Sequence, residues 1–228
     1  PAVVTGVSRA LVTEDQAGTI TRQLHVMDPD AGQAAFHPVD QNALYGHFTI
    51  DAHGTWTYHV DNGNPDVQAI PQGMSLTEKI VVGTVEGTPH MITVTIMGTN
   101  DVAIIGGASA GAVTEDNVDA KGALSVSGQL TVQDVDRGEG VFASLQGFPG
   151  SNGFGTFSID ANGHWTYSAD NAQAAVQSLR AGEVRTDSFQ ASTVDGTHHT
   201  ITVTIEGTND APVLSAQSQA IDEDASLL

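Results

Sequence analysis

Apolar and polar residues alternate with a period of two along most of the chain, in short runs bounded by Gly, Asn or Asp. A period of two is that of strands with one buried face, not of helices. In the first half the pattern predicts strands near residues 2–12, 20–27, 34–39, 46–51, 55–60, 76–84 and 89–97. Asp51-Ala52-His53-Gly54 and Asp160-Ala161-Asn162-Gly163 carry the residues of tight hairpin turns, as do Glu86-Gly87 and Asp195-Gly196. Asn64-Pro65-Asp66-Val67-Gln68-Ala69-Ile70 reads as a single capped helical turn, with Pro near its first position. Seven short strands in about 100 residues point to an antiparallel sandwich of immunoglobulin-like or cadherin-like type.

The pattern then repeats. Ile50-Asp51-Ala52-x-Gly54-x-Trp56-Thr57-Tyr58 returns as Ile159-Asp160-Ala161-x-Gly163-x-Trp165-Thr166-Tyr167, an offset of 109. Val85-x-Gly87-Thr88 returns at the same offset, whereas Val12-Thr13-Glu14-Asp15 returns as Val113-Thr114-Glu115-Asp116 after 101. The difference places insertions in the second copy, expected around Gly138 to Gly153. A further copy begins at Ile221-Asp222-Glu223-Asp224. The expected architecture is all-β: two tandem antiparallel β-sandwich modules joined end to end, at 1–101 and 102–210, with 211–228 opening a third. Trp56 and Tyr58 share one strand face, as do Trp165 and Tyr167; with aromatics only 5% of the chain, they are expected to anchor the cores.

Charge changes the picture. The 228 residues hold 27 acids against 7 Lys and Arg, a formal charge of -20, which leaves no basic stripe for nucleic acid. There is no cysteine, so neither a disulfide scaffold nor a thiolate metal site is available. No apolar run approaches the roughly 20 residues of a membrane span. No signal-peptide pattern opens the chain and Pro1 is not a natural start, so the sequence reads as part of something longer.

The acids sit where strands end. If the first strand runs from the top of a module to its bottom, Glu14 and Asp15 lie at the bottom of module one and Asp28-Pro29-Asp30 at its top. The strands ending near Val60 and Met97 deliver Asp61 and Asn100-Asp101 to the bottom, facing Asp134-Val135-Asp136 at the top of module two. One junction would then gather Glu14, Asp15, Asp61, Asn100, Asp101, Asp134 and Asp136. Unit charges about 4 Å apart repel by roughly 4 kcal/mol at an effective dielectric of about 20, so such a set needs a cation. Hard oxygen ligands without Cys or clustered His select calcium, and the number of ligands suits it better than magnesium. Asp28, Asp30, Glu115, Asp116, Asp170, Asn209 and Asp210 are expected to form half-sites completed by neighbouring modules.

The set Thr-Glu-Asp, Asp-x-Asp, Asp-Ala-x-Gly-x-Trp-Thr-Tyr with a following Asp-Asn, and a closing Gly-Thr-Asn-Asp-Ala-Pro resembles the VCBS repeats of giant bacterial RTX-type adhesins, across both modules. These repeats are similar to cadherin repeats, whose junctions bind calcium. The resemblance implies ligand roles for Glu14, Asn100, Asp101, Asp134 and Asp136, and more weakly for Asp61. It also implies type I export and display on a Gram-negative surface. The first linker departs from the pattern, reading Asn100-Asp101-Val102-Ala103 where the second reads Asn209-Asp210-Ala211-Pro212. Lacking that proline, the first linker would depend more on metal for its stiffness.

Nine histidines invite a zinc or catalytic reading, but none is read as recurring at a matching position in both modules. Gly106-Gly107 and the glycines of 147–155 lack the Lys and helix of a phosphate loop, and no Gly-x-Ser-x-Gly occurs. The expected protein is therefore not an enzyme. It is expected to be a monomeric, calcium-rigidified spacer of a secreted, surface-displayed adhesin in cell adhesion and biofilm formation. Its partners are neighbouring repeats of the same chain, with host or surface glycans or proteins reached through other domains. The alternatives are a glycan- or protein-binding module using the loop near 138–153, or an accessory domain of a secreted hydrolase.

Overall fold

A computed structural model describes residues 1–30 and 32–212. The copy expected from residue 221 lies outside the described residues. In the first half, β1 (Val3–Gly6), β3 (Thr19–Met27), β6 (Thr55–Val60), β5 (Gly46–Ile50) and β4 (Val39–Asn42) form one sheet in that order. β2 (Arg9–Thr13), β8 (Pro89–Met97) and β7 (Ser75–Gly83) form the other. Phe48, Trp56 and Tyr58 from the first sheet and Ile80, Ile92, Val94 and Ile96 from the second make one buried core, which is what a sandwich requires. The second half repeats the arrangement. β9 (Ile104–Gly107), β11 (Ala123–Gln133), β14 (His164–Asp170), β13 (Gly155–Ile159) and β12 (Leu145–Pro149) face β10 (Ala110–Thr114), β16 (His198–Glu206) and β15 (Val184–Ser192) across a separate core. The molecule is all-β, in two sandwich modules.

The strand expected at 2–12 is two strands in two sheets. β1 pairs antiparallel with β3, while β2 pairs parallel with β8, Arg9 opposite Thr93. Between them Gly6 takes φ +102, where a Cβ would collide with the backbone at Gln23 and Leu24. Periodicity cannot report such a switch, because both strands keep the same alternation. The expected strand at 34–39 is also displaced: Phe36 makes only an isolated bridge to Thr84, and β4 starts at Val39. Pro38, just before it, has no amide to give a ladder.

The helical turn is where the sequence placed it. In α1 (Pro65–Gln68), Asn64 caps the Asp66 amide at 2.9 Å. Its counterpart α2 (Ala174–Gln177) follows Gln173, which makes no side-chain cap.

The insertions lie mostly elsewhere than expected. Leu24 and Leu130 make the same hydrogen bond to the next hairpin, to Gly54 and Gly163, so the offset has already reached 106 at Leu130. Five of the eight extra residues thus precede Leu130, around the turn 117–122 and in the longer β11. Only three fall later, in the β12–β13 hairpin.

Trp56, Tyr58, Trp165 and Tyr167 are all core residues, at most 1% exposed. Each Trp Nε1 donates to the backbone where the first strand crosses between sheets, to Val7 O at 2.8 Å and Ala108 O at 2.7 Å. Each Tyr hydroxyl donates to a buried acid of the opposite sheet: Tyr58 to Glu78 at 2.6 Å, Tyr167 to Asp187 at 3.3 Å. Those acids also accept backbone amides of the neighbouring loop, Leu44 and Tyr45 for Glu78, Asn152, Phe154 and Gly155 for Asp187. A buried carboxylate needs such partners. Sequence reading missed both, although Glu78 stands in phase with inward Ile80 and Val82.

Candidate metal centre

The Glu14 site starts from the parallel pairing of β2 on β8. That pairing carries the Glu14 amide to Met97 O at 3.0 Å, and Glu14 Oε1 then accepts the Thr99 amide at 2.6 Å. Thr99 belongs to Gly98-Thr99-Asn100-Asp101, which leaves β8 and becomes the linker. Gly98 is needed for the chain to pass the end of α1: a Cβ there would strike the carbonyl oxygens of Ile70 and Pro71, both backbone. We expect Gly98→Ala to cost the first module about 1–3 kcal/mol. Chemical denaturation should show its transition shifted and that of the second module unchanged; an unshifted first transition would refute the close-approach role.

Glu14 is fully buried, and its Oε2 has no hydrogen-bond partner. Burial is the main cause lifting its pKa to about 7, with Asp15, Asp136 and Asp101 adding to it and the Thr99 amide opposing. From the second module, Asp134 Oδ1 accepts the Asp136 amide at 2.8 Å. Asp136 Oδ2 reaches back across the linker to the Asp101 amide at 2.9 Å. The outer oxygens, Asp101 Oδ2, Asp134 Oδ2 and Asp136 Oδ1, are buried and unpartnered. Burial raises the pKa of Asp101 and Asp136, and their acidic neighbours raise both further.

Two residues of this junction escaped sequence reading. Glu139 Oε2 is also buried without a partner, and burial followed by Asp136, Asp134 and Asp195 pushes its pKa up. Asp195, on the β15–β16 hairpin, accepts the Ala103 amide at 3.2 Å. Burial acts against its charge, but hydrogen bonds from Thr193, Thr197 and that amide hold its pKa at about 2. The loop 134–139 also touches α1, with Arg137 N donating to Ala69 O at 3.3 Å. The Arg137–Asp66 pair, at 3.9 Å and largely exposed on both sides, adds little.

The other expected residues are placed as follows. Asp15 is exposed beside Glu14 at φ +58, and its Oδ1 accepts Gln68 Nε2 at 2.9 Å, tying the turn to α1. Asn100 is exposed, its side-chain amide on Asp101 O. Asp61 is exposed and accepts the Gly63 amide at 2.9 Å; it acts on Tyr58 and is not among the acids that raise Asp101. Shared strand direction brought it to the right pole but not to the cluster. Of the half-sites, Glu115 copies Glu14: 1% exposed, Oε2 on the Thr208 amide at 2.9 Å, Oε1 unpartnered. Asp116 repeats the Asp15 turn with Asn171 and Gln177, and Asp170 accepts the Ala172 amide. Asn209 bonds Asp210 O, as Asn100 does Asp101 O. Asp28 copies Asp134, with Oδ1 on the Asp30 amide at 2.8 Å and Oδ2 buried and unpartnered; Asp30 is exposed.

Among the described residues no three His, Asp or Glu side chains already stand together in a set able to hold a metal ion. The junction carboxylates surround the linker and would have to close further around a cation. Their chemistry fits a hard cation, since buried anionic oxygens without donors need a positive partner. Contrary to the expectation from sequence, one histidine does recur: His90 opposite Val82 and His199 opposite Ala191 occupy the same register position in the two modules.

Residues 100–207 match the family model of the bacterial cadherin-like domain. The fold is similar to protocadherin gammaB7 EC3-6, solved as a cis-dimer, at 18% identity with a TM-score of 0.52 over 90% of this chain and 47% of that one. It is also similar to protocadherin gamma B2 extracellular cadherin domains 3-6, at 14% identity with a TM-score of 0.50 over 90% and 47%. The chain thus spans about half the length of these structures. No curated protein matches it. The second module is thus cadherin-like in fold and matches the bacterial cadherin-like domain over residues 100–207, and the first module repeats its strand order.

Proposed function

We propose that the two modules are a calcium-rigidified spacer within a large secreted bacterial adhesin. Cadherin-like domains are typical of adhesion and extender ectodomains and are not enzymes, and among the described residues no helix is long and apolar enough to cross a membrane. The observation that carries the reading is the junction itself: Glu14 and Asp101 from one module, and Asp134, Asp136 and Glu139 from the other, each bury a carboxylate oxygen with no hydrogen-bond donor. Bound calcium supplies positive charge with flexible oxygen coordination, which neutralises such a set. Glu14, Asp101, Asp134 and Asp136 would hold it, with Asn100 and Asp15 at the rim and Asp61 apart. Glu115, Asn209 and Asp210, and likewise Asp28, would be the matching halves of further junctions. Without the cation, carboxylates on both sides of Val102 repel and the linker flexes; with it, the angle between modules is fixed. Export through a type I system and display on a bacterial surface follow from the resemblance to adhesin repeats. The ligand-binding alternative loses its main ground, since only three of the eight extra residues lie in the β12–β13 hairpin.

The test is small-angle scattering and thermal melting in millimolar calcium and in chelator. Extracellular sites of this kind bind with dissociation constants of order 0.1–1 mM. At about 10 mM, roughly 10 to 100 times that constant, calcium adds about 1.4–2.7 kcal/mol, a shift of order 10 °C for a module of this size. The chain is expected to be longer and less flexible with calcium. Equal length and equal melting in both buffers would sink the reading.

A further inference from the structure

The incoming ends of the two modules are built alike. Asp28 and Asp134 each accept the amide two residues on, at 2.8 Å in both. The amides of Gln33 and Glu139 then donate to Asp30 O at 3.3 Å and Asp136 O at 3.2 Å. The carbonyls of Gln33 and Glu139 in turn accept the amides of Ala35 and Val141. The same turn therefore carries a neutral Gln33 in one module and an acidic Glu139 in the other. The acid stands where charge is least tolerable. Asp134, Asp136 and Asp195 already face that side of the junction, and burial disfavours its charged form. Its Oε2 is buried with no donor, and the following residue, Gly140, lines a cleft together with Asp101 and Asp134. Asp136 beside it is 2% exposed and likewise leaves Oδ1 unpartnered. A structural role would have given Glu139 a donor, as Asp187 has in the core.

We propose that Glu139 is itself a calcium ligand, joining Asp134 and Asp136 on the second module's side of the junction. The proposal rests on the calcium reading and adds to it a residue specific to this module. Gln33 shows that an amide fits the turn, so Glu139→Gln keeps the fold while removing one ligand charge.

The experiment is calcium titration calorimetry on the 228-residue chain, with melting in chelator, for the parent, Glu139→Gln and Asp40→Asn. Asp40 is an exposed acid of β4 paired with His47 and controls for loss of one charge. Because site affinity follows ligand charge count, Glu139→Gln is expected to bind calcium about tenfold more weakly. It should also melt higher than the parent in chelator, with Asp40→Asn unchanged in both. Parent-like calcium binding by Glu139→Gln would overturn the proposal and leave the spacer reading standing. So would a lower melting temperature in chelator with unaltered calcium affinity. A parent that binds no calcium would overturn both.

Discussion

In calcium-free buffer the first module is expected to become more stable as pH falls from about 8 to about 5, and Glu14→Gln is expected to remove most of that dependence. The folded-state pKa of Glu14 is raised from 4.5 to about 7. Between those values the folded chain binds a proton that the unfolded chain does not, so stability is fully present below 4.5 and is lost as pH rises through 7. At 1.36 kcal/mol per unit the effect is about 3 kcal/mol. Asp101 and Asp136 are shifted in the same direction and add to it. Asp195 acts oppositely, but with a folded pKa of about 2 its stabilisation is constant above the 3.8 of an ordinary aspartate and is lost only as pH falls below it. Saturating calcium should reverse the trend, because ligands must be deprotonated to bind metal. Melting curves at stepped pH, with and without calcium, decide the matter. A Glu14→Gln chain with the parental calcium-free profile would show that the buried carboxylate is not the group responsible.

Trp56→Ala should cost the first module about 3–5 kcal/mol, the largest single loss expected in it. The indole is fully buried, packs on Phe48 at a ring separation of 6.0 Å and donates to Val7 O. That bond holds the backbone where β1 gives way to β2, so the change also loosens the strand that leads into Glu14. Trp56→Phe, which keeps much of the volume and loses the bond, is expected to cost less, with about 1 kcal/mol of that from the bond itself. The chain has two tryptophans, one in each core, so in the Trp56 variants Trp165 fluorescence follows the second module alone. Differential scanning calorimetry should show one transition falling and that one holding. Calcium affinity should drop with Trp56→Ala. If both transitions moved together, the modules would not have independent cores; if affinity stayed fixed, the Trp would not support the site.

Much of this was legible before folding, for reasons that differ along the chain. Strand direction follows from counting strands, which is why Glu14, Asp101, Asp134 and Asp136 could be brought to one junction from sequence. The same counting also brought Asp61, and there it stopped being sufficient. Asp61 reaches the correct pole on β6 but bonds within its own turn, and nothing in its motif distinguishes it from Asp101. Neither Glu139 nor Asp195 stands in a metal-ligand motif. Glu139 lies past the Asp-x-Asp, inside the segment expected to be inserted, and Asp195 carries only the signal of a turn residue. The one sequence signal for the first is the difference between the repeats at this turn, Gln33 against Glu139.

Sequence alone determined that this chain is made of repeated β modules, where their turns fall, which aromatics anchor them and that acids collect at their ends. Those properties are local: alternation, turn chemistry and repetition act over a few residues and need no knowledge of what lies opposite. Only the tertiary structure decided that the first strand divides between two sheets, that Glu78 and Asp187 are buried clamps, and which acids lose their hydrogen-bond partners. These depend on groups far apart in the chain, such as Glu14 and the Thr99 amide 85 residues later, meeting when β2 lies along β8. Burial, and the desolvation that makes an unpaired carboxylate call for a cation, exists only after that meeting.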